Sequence, residues 1–133
     1  IKAKISNSTD AQIIVELRQL LGTVGDAHSN IWIDRESTVP PFSQYAFATV
    51  WTSDGVFVAA LPKEHEALLT HKLVRIGDTP TDQVIERLSS LRAYDNESGR
   101  RNNVMQDIRE AESLVALGVP SAWRKTVVTQ LNR

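Results

Sequence analysis

Residues 45–61 read Y-A-F-A-T-V-W-T-S-D-G-V-F-V-A-A-L, and this stretch decides the fold class. Two runs rich in β-branched and aromatic residues, 45–52 and 56–61, flank Ser53-Asp54-Gly55. Asp-Gly supplies the positive-φ positions that a tight turn needs, so the stretch predicts an antiparallel hairpin. Pro62 cannot donate to a strand ladder and should end the second strand.

Downstream of the hairpin, residues 63–69 suggest a short helix or turn, and K-L-V-R-I at 72–76 a third strand. Gly77-Asp78-Thr79-Pro80 forms a turn, and Thr81 is expected to cap a helix carrying Val84, Ile85, Leu88 and Leu91. A polar loop, D-N-E-S-G at 95–99, precedes a helix from about 101 to 117 with Val104, Ile108, Leu114 and Leu117 buried. Gly118 and Pro120 end it, and residues 125–131 read as a closing strand.

Upstream, Ser8-Thr9-Asp10 offer N-caps for a helix over 11–21, with Ile13, Ile14, Leu17, Leu20 and Leu21 at helical spacing and Gly22 as its stop. Gly25-Asp26-Ala27-His28 should turn the chain into a short strand at 29–34, with Ile31 and Ile33 on one face and Trp32 on the other. Val39-Pro40-Pro41 is an extended connector. The expected fold is therefore α+β: an N-terminal helix, then a small and mostly antiparallel sheet with two helices. Residues 1–40 are expected to form a helical entry segment that contains the G-D-A-H-S turn. Residues 41–133 form a second unit with a helix inserted at about 97–118.

With 133 residues and 41% apolar side chains the chain can build one ordinary core. Its 15 basic and 16 acidic residues leave a net charge of −1, which gives no reason to expect nucleic acid as a partner. Without cysteine there is no disulfide, thiolate metal site or thiol nucleophile. No apolar run approaches the ~20 residues of a membrane span. Residues 1–10 do not resemble a signal peptide, and a start at Ile1 suits a mature or trimmed chain.

Three histidines could carry chemistry. His65 and His71 lie six apart, whereas two ligands on one helical face need three or four, so a zinc helix is not expected. His28 sits in a glycine-punctuated turn, with Asp26 two residues before it and Ser29 directly after. It can tie down the turn backbone, or act as a general base oriented by Asp26 if a hydroxyl reaches it. No glycine-flanked nucleophile serine, phosphate loop or dinucleotide fingerprint occurs, and no cofactor is implied.

Two segments together resemble a known family. L-L-G-T-V-G-D-A-H-S at 20–29 is similar to the helix-then-G-D-x-H-S/T element near the start of tail-specific (carboxyl-terminal-processing, tricorn-core-like) serine peptidases. K-L-V-R-I-G-D-T-P-T-D-Q-V-I-E-R-L at 72–88 resembles the strand–turn–helix of their PDZ-like domain, and the hairpin lies between the two as the family order requires. Tyr94-Asp95-Asn96-Glu97 and L-V-A-L-G-V at 114–119 are similar to secreted bacterial members of the group.

The resemblance implies that residues 41–133 are a PDZ-like peptide-docking domain. It also implies that His28 serves a site whose serine lies in a later catalytic domain, beyond this chain. The partners it implies are a polypeptide substrate and that catalytic domain, and the location the cell envelope or exterior. Substrate would pair with the strand at 72–76 by β-augmentation, beside Leu73 and with Arg75 either solvated or meeting a peptide carboxylate; Val84 and Leu88 would line either its groove or the core, and helical periodicity favours the core. A stand-alone peptide-binding module is the alternative. Three features depart from the family pattern: Thr70-His71 stand where glycine is common, a helix is inserted over 95–119, and Arg75 interrupts K-L-V-R-I.

Overall fold

A computed structural model describes residues 7–34, 36, 42–119 and 130–132. The chain is α+β: an N-terminal helix is followed by an antiparallel sheet and further helices. Helix α1 spans Asp10–Gly22, and Thr9 caps it. Thr9 accepts from the Gln12 backbone at 3.2 Å while the Gln12 side chain accepts from the Thr9 backbone at 2.8 Å, a reciprocal capping box.

The hairpin forms as its sequence predicts, with β1 at Ala48–Thr52 and β2 at Gly55–Ala60 joined by Ser53-Asp54. Gly55 takes φ +129, and the Thr52 hydroxyl donates to its carbonyl at 3.1 Å. A 3-10 helix, Lys63–Leu68, leads to β3 at Lys72–Ile76. A tight turn at Gly77-Asp78 then returns as β4, Thr79–Pro80. Thr70, just before β3, holds φ +64, a left-handed conformation that β-branched residues rarely adopt.

Helix α2 is Thr81–Ser89, α3 is Glu97–Asp107, α4 is Ala111–Ala116 and β5 is Gln130–Asn132. Strand β3 pairs antiparallel with β2, β4 and β5. Lys72 faces both Phe57 and Asn132, and Arg75 faces both Pro80 and Gln130. A residue has one neighbour on each side, so β2 and β4 share one side of β3 and β5 takes the other.

One core joins all of this. Val15 of α1 packs with Tyr45, Phe47, Val56, Leu73, Ile76, Leu88, Val104, Ile108 and Leu114. Alternate residues of β2, Val56 and Val58, point inward, as a half-buried strand requires.

Several local expectations change. Residues 29–34 form no strand: no ladder partner meets them among the described residues, and Trp32 is 78% exposed. Thr81 does not cap α2. Pro80 holds that position, and the buried Thr81 hydroxyl donates to the Leu73 carbonyl at 2.8 Å, tying helix to strand.

The single helix expected at 101–117 starts earlier, because Asn96 caps it through the Gly99 amide at 2.8 Å. It then breaks at Ile108–Glu110. There the 43–45 segment takes the backbone groups: Tyr45 N–H donates to the Arg109 carbonyl at 2.9 Å, and Ala111 N–H to the Ser43 carbonyl at 3.0 Å. The closing strand is present at 130–132, while residues 125–129 and the connector at 39–41 lie outside the described residues.

Candidate functional site

The G-D-A-H-S turn begins where α1 ends. Thr23 closes the helix, its hydroxyl donating to the Leu20 carbonyl at 2.6 Å, and Gly25 takes φ +79 to reverse the chain. Asp26 then organises the turn. One carboxylate oxygen accepts the His28 backbone N–H at 3.0 Å and the other accepts the Ser29 hydroxyl at 2.7 Å. The Ser29 hydroxyl, and after it the His28 amide, holds the Asp26 carboxyl below its ordinary range.

The His28 ring lies with Nδ1 3.4 Å from Asp26 and its side chain 91% exposed. Ser29 therefore donates to the carboxylate, and no relay from serine to imidazole runs inside the turn. The arrangement leaves an imidazole beside an acid, with Nε2 open to a group arriving from outside.

A buried set of charges docks α1, and with it this turn, on the remainder of the fold. Arg18 donates to Glu110 at 2.8 Å and its guanidinium lies 5.1 Å from the Phe42 ring centroid. Glu110 also accepts the Ser113 hydroxyl at 2.7 Å. Arg92 pairs with Asp107, whose carboxyl burial pushes up to about 6 despite the guanidinium beside it. Gln19 reaches the Ser90 hydroxyl at 2.8 Å, so α1 also touches the residue that ends α2.

The expected peptide-contacting residues are distributed differently. Leu73, Val84 and Leu88 are at most 2% exposed and belong to the core. Helical periodicity placed Val84 and Leu88 on an apolar face, and that face packs inward. Arg75 is half-buried on β3, and its Nε has no hydrogen-bond partner among the described residues. Strand β3 is flanked on both sides, so the edge expected to receive substrate is taken by the chain itself. Edge strand β1 pairs with β2 alone and carries no strand on its other side among the described residues.

Beside β1 lies a trough of about 650 Å³, lined by Trp51, by Asp82, Ile85 and Glu86 of α2, and by Tyr94 and Arg100. It adjoins a hollow of about 400 Å³ at the hairpin turn, and Trp51, Asp82 and Ile85 line both. Arg100 and Arg101 stand 5.3 and 5.1 Å from the Trp51 ring centroid, and both are ion-paired to Glu97. Sequence reasoning missed this trough. The available signals were an aromatic residue in the first hairpin strand and two acids one turn apart on the outer face of the 81–91 helix.

Among the described residues no three histidine, aspartate or glutamate side chains converge to hold a metal ion. No described helix is long and apolar enough to cross a membrane. No family model, no curated protein and no solved structure matches the chain.

Proposed function

We propose that this chain is the non-catalytic, polypeptide-docking N-terminal portion of a secreted serine-type endopeptidase. It contributes His28 to a site whose nucleophile is carried elsewhere. The observation that carries this reading is the Asp26–His28 pair: an imidazole held beside a carboxylate, exposed, on a turn whose own serine is engaged.

In this reading an extended polypeptide pairs with β1, which has no second strand partner among the described residues, and its side chains reach the trough that Trp51 and α2 line. His28 Nε2 takes the proton of an incoming serine hydroxyl as that oxygen attacks the scissile carbonyl carbon. It then delivers the proton to the departing amine nitrogen. Asp26 keeps the proton on Nδ1 and stabilises the imidazolium between the two transfers.

The test is hydrolysis of an unstructured polypeptide, run with this chain and with the complete product of its gene. Only the longer protein should cleave, and His28→Ala in it should abolish cleavage while its folding is unchanged. Cleavage by this chain alone would contradict the absence of a nucleophile here. Full activity of the His28→Ala protein would remove His28 from the chemistry. A second reading, a peptide-binding module with no enzymatic partner, is favoured by the trough lying wholly within this chain. It takes first place if peptide binds and neither protein cleaves.

A further inference from the structure

The charges that dock α1 are buried, and two pairs of them meet where α3 gives way to α4. Arg18 of α1 is 7% exposed and pairs with Glu110; Arg92 pairs with Asp107, which is 1% exposed. Helix α1 touches both pairs. It supplies Arg18 to the first, and its last turn lies on the backbone that carries the second arginine. A Cβ at Gly22 would stand 3.6 Å from the Arg92 nitrogen and carbonyl carbon.

The two carboxylates are compensated unequally. Glu110 accepts from Arg18 at 2.8 Å and from the Ser113 hydroxyl at 2.7 Å. Asp107 is held by Arg92 through one oxygen, while its other oxygen, Arg18 Nε and Arg92 Nε are buried with no hydrogen-bond partner among the described residues. The charged groups facing Asp107 are Arg92 from the α2–α3 connection, Glu110 from the start of α4 and Arg18 from α1. Burial, and then the repulsion of Glu110, push the Asp107 carboxyl up to about 6 against the attraction of both arginines. Once ionised, a carboxylate with an unpartnered buried oxygen favours any opening that lets water reach it.

We propose that α1 is a pH-released latch: when Asp107 ionises, α1 and the turn carrying Asp26 and His28 detach from the α3–α4 junction while the sheet and α2 stay closed. The attachment that must give way is thin. Val15 and Arg18 are the buried residues of α1, and Gln19 adds one hydrogen bond to Ser90. The sheet and α2, by contrast, share Leu73, Ile76, Val84 and Leu88 at the centre of the core. In the docked state the carboxyl titrates near 6; released into water it returns to the ordinary 3.8. Docking is therefore strongest below the lower value and is weakened as pH rises through the upper one. The latch does not depend on peptide docking, but it decides where the His28 turn sits.

Amide hydrogen exchange of the wild-type chain tests this, followed by NMR from pH 5 to 7 and corrected for the intrinsic rate of each amide. Amides of residues 14–21 should be less protected than those of Val56 and Val58 at every pH. They should also lose roughly tenfold in protection across that range, the change that linkage to Asp107 gives. In Asp107→Asn the amides of 14–21 should lose this pH dependence. Protection of 14–21 that ignores pH overturns the latch, because Asp107 is then not coupled to α1. Protection equal to that of Val56 and Val58 at each pH also overturns it, because α1 then opens only with the whole fold. Both results are read on the wild-type chain, so the proposal can fail even if the variant does not fold. A folded variant that keeps the wild-type pH dependence removes Asp107 from the device and overturns it as well.

Discussion

Asp107 is the residue at which charge and folding meet most directly. It is 1% exposed and faces Arg92, with Glu110 and Arg18 nearby. Burial raises its carboxyl from the ordinary 3.8 to about 6, because taking the ionised form out of water outweighs the attraction of Arg92. The folded chain therefore holds a proton that the unfolded chain releases between those two values. The contribution to stability is full below the lower value and is lost as pH rises through the upper one. The difference between those two values corresponds to about 3 kcal/mol. Urea denaturation between pH 4 and 7 should show that decline in the wild-type chain and a flatter profile in Asp107→Asn. Equal slopes would mean that Asp107 does not titrate differently in the folded state. Nothing in the local sequence announced this, since V-M-Q-D-I places an acid on a helix without saying that the helix will press it against Arg92.

At the scale of elements, legibility followed local chemistry. The hairpin was readable because Ser53-Asp54-Gly55 acts within four residues, and the start of α1 because Thr9 and Gln12 cap it locally. The face that α1 buries was not. Leu17 and Leu20 belong to its apolar spacing yet are 45% and 63% exposed, while Val15 and Arg18 are inside. What chose that face is tertiary: Glu110 draws Arg18 inward, and Gly22 lets the helix approach Ser90. A Cβ at residue 22 would stand 2.9 Å from the Ser90 carbonyl oxygen, a backbone atom that cannot swing aside. Gly22→Ala should accordingly push α1 away from the end of α2 and cost about 1–3 kcal/mol by chemical denaturation. A wild-type midpoint in that variant would show that the approach is slack. Likewise, 101–117 has the periodicity of one helix, and only the arrival of residues 43–45 makes it two.

For the whole molecule, the α+β class and the succession of first helix, hairpin, third strand and second helix were present in the sequence, because each hairpin, turn and cap is a short-range event, whereas the strand expected at 29–34 and the single helix at 101–117 were not what formed. The candidate site was legible only in part. His28, Asp26 and Ser29 could be named because they are neighbours in the chain, and their mutual geometry forms within the turn itself. The proposed docking surface depends on which strand is left at the edge, and that is decided by how distant segments pair. Strand β5 comes from the far end of the sequence to close one side of β3, so β3 is not an edge, while β1, like β5, pairs with a single strand among the described residues. Leu73, Val84 and Leu88 became core for the same reason, and Trp51 with the outer face of α2 became the trough.

The central claim is that this chain docks extended polypeptide at β1 and the neighbouring trough. An NMR titration of the isotopically labelled 14.8 kDa chain with an unstructured peptide tests it most directly. The account predicts that the Trp51 indole and the amides of Ala48–Thr52 and Thr81–Ser89 shift together and saturably, while the amides of the 63–68 helix stay in place. Saturable shifts confined to another surface, or no shifts at millimolar peptide, would contradict it.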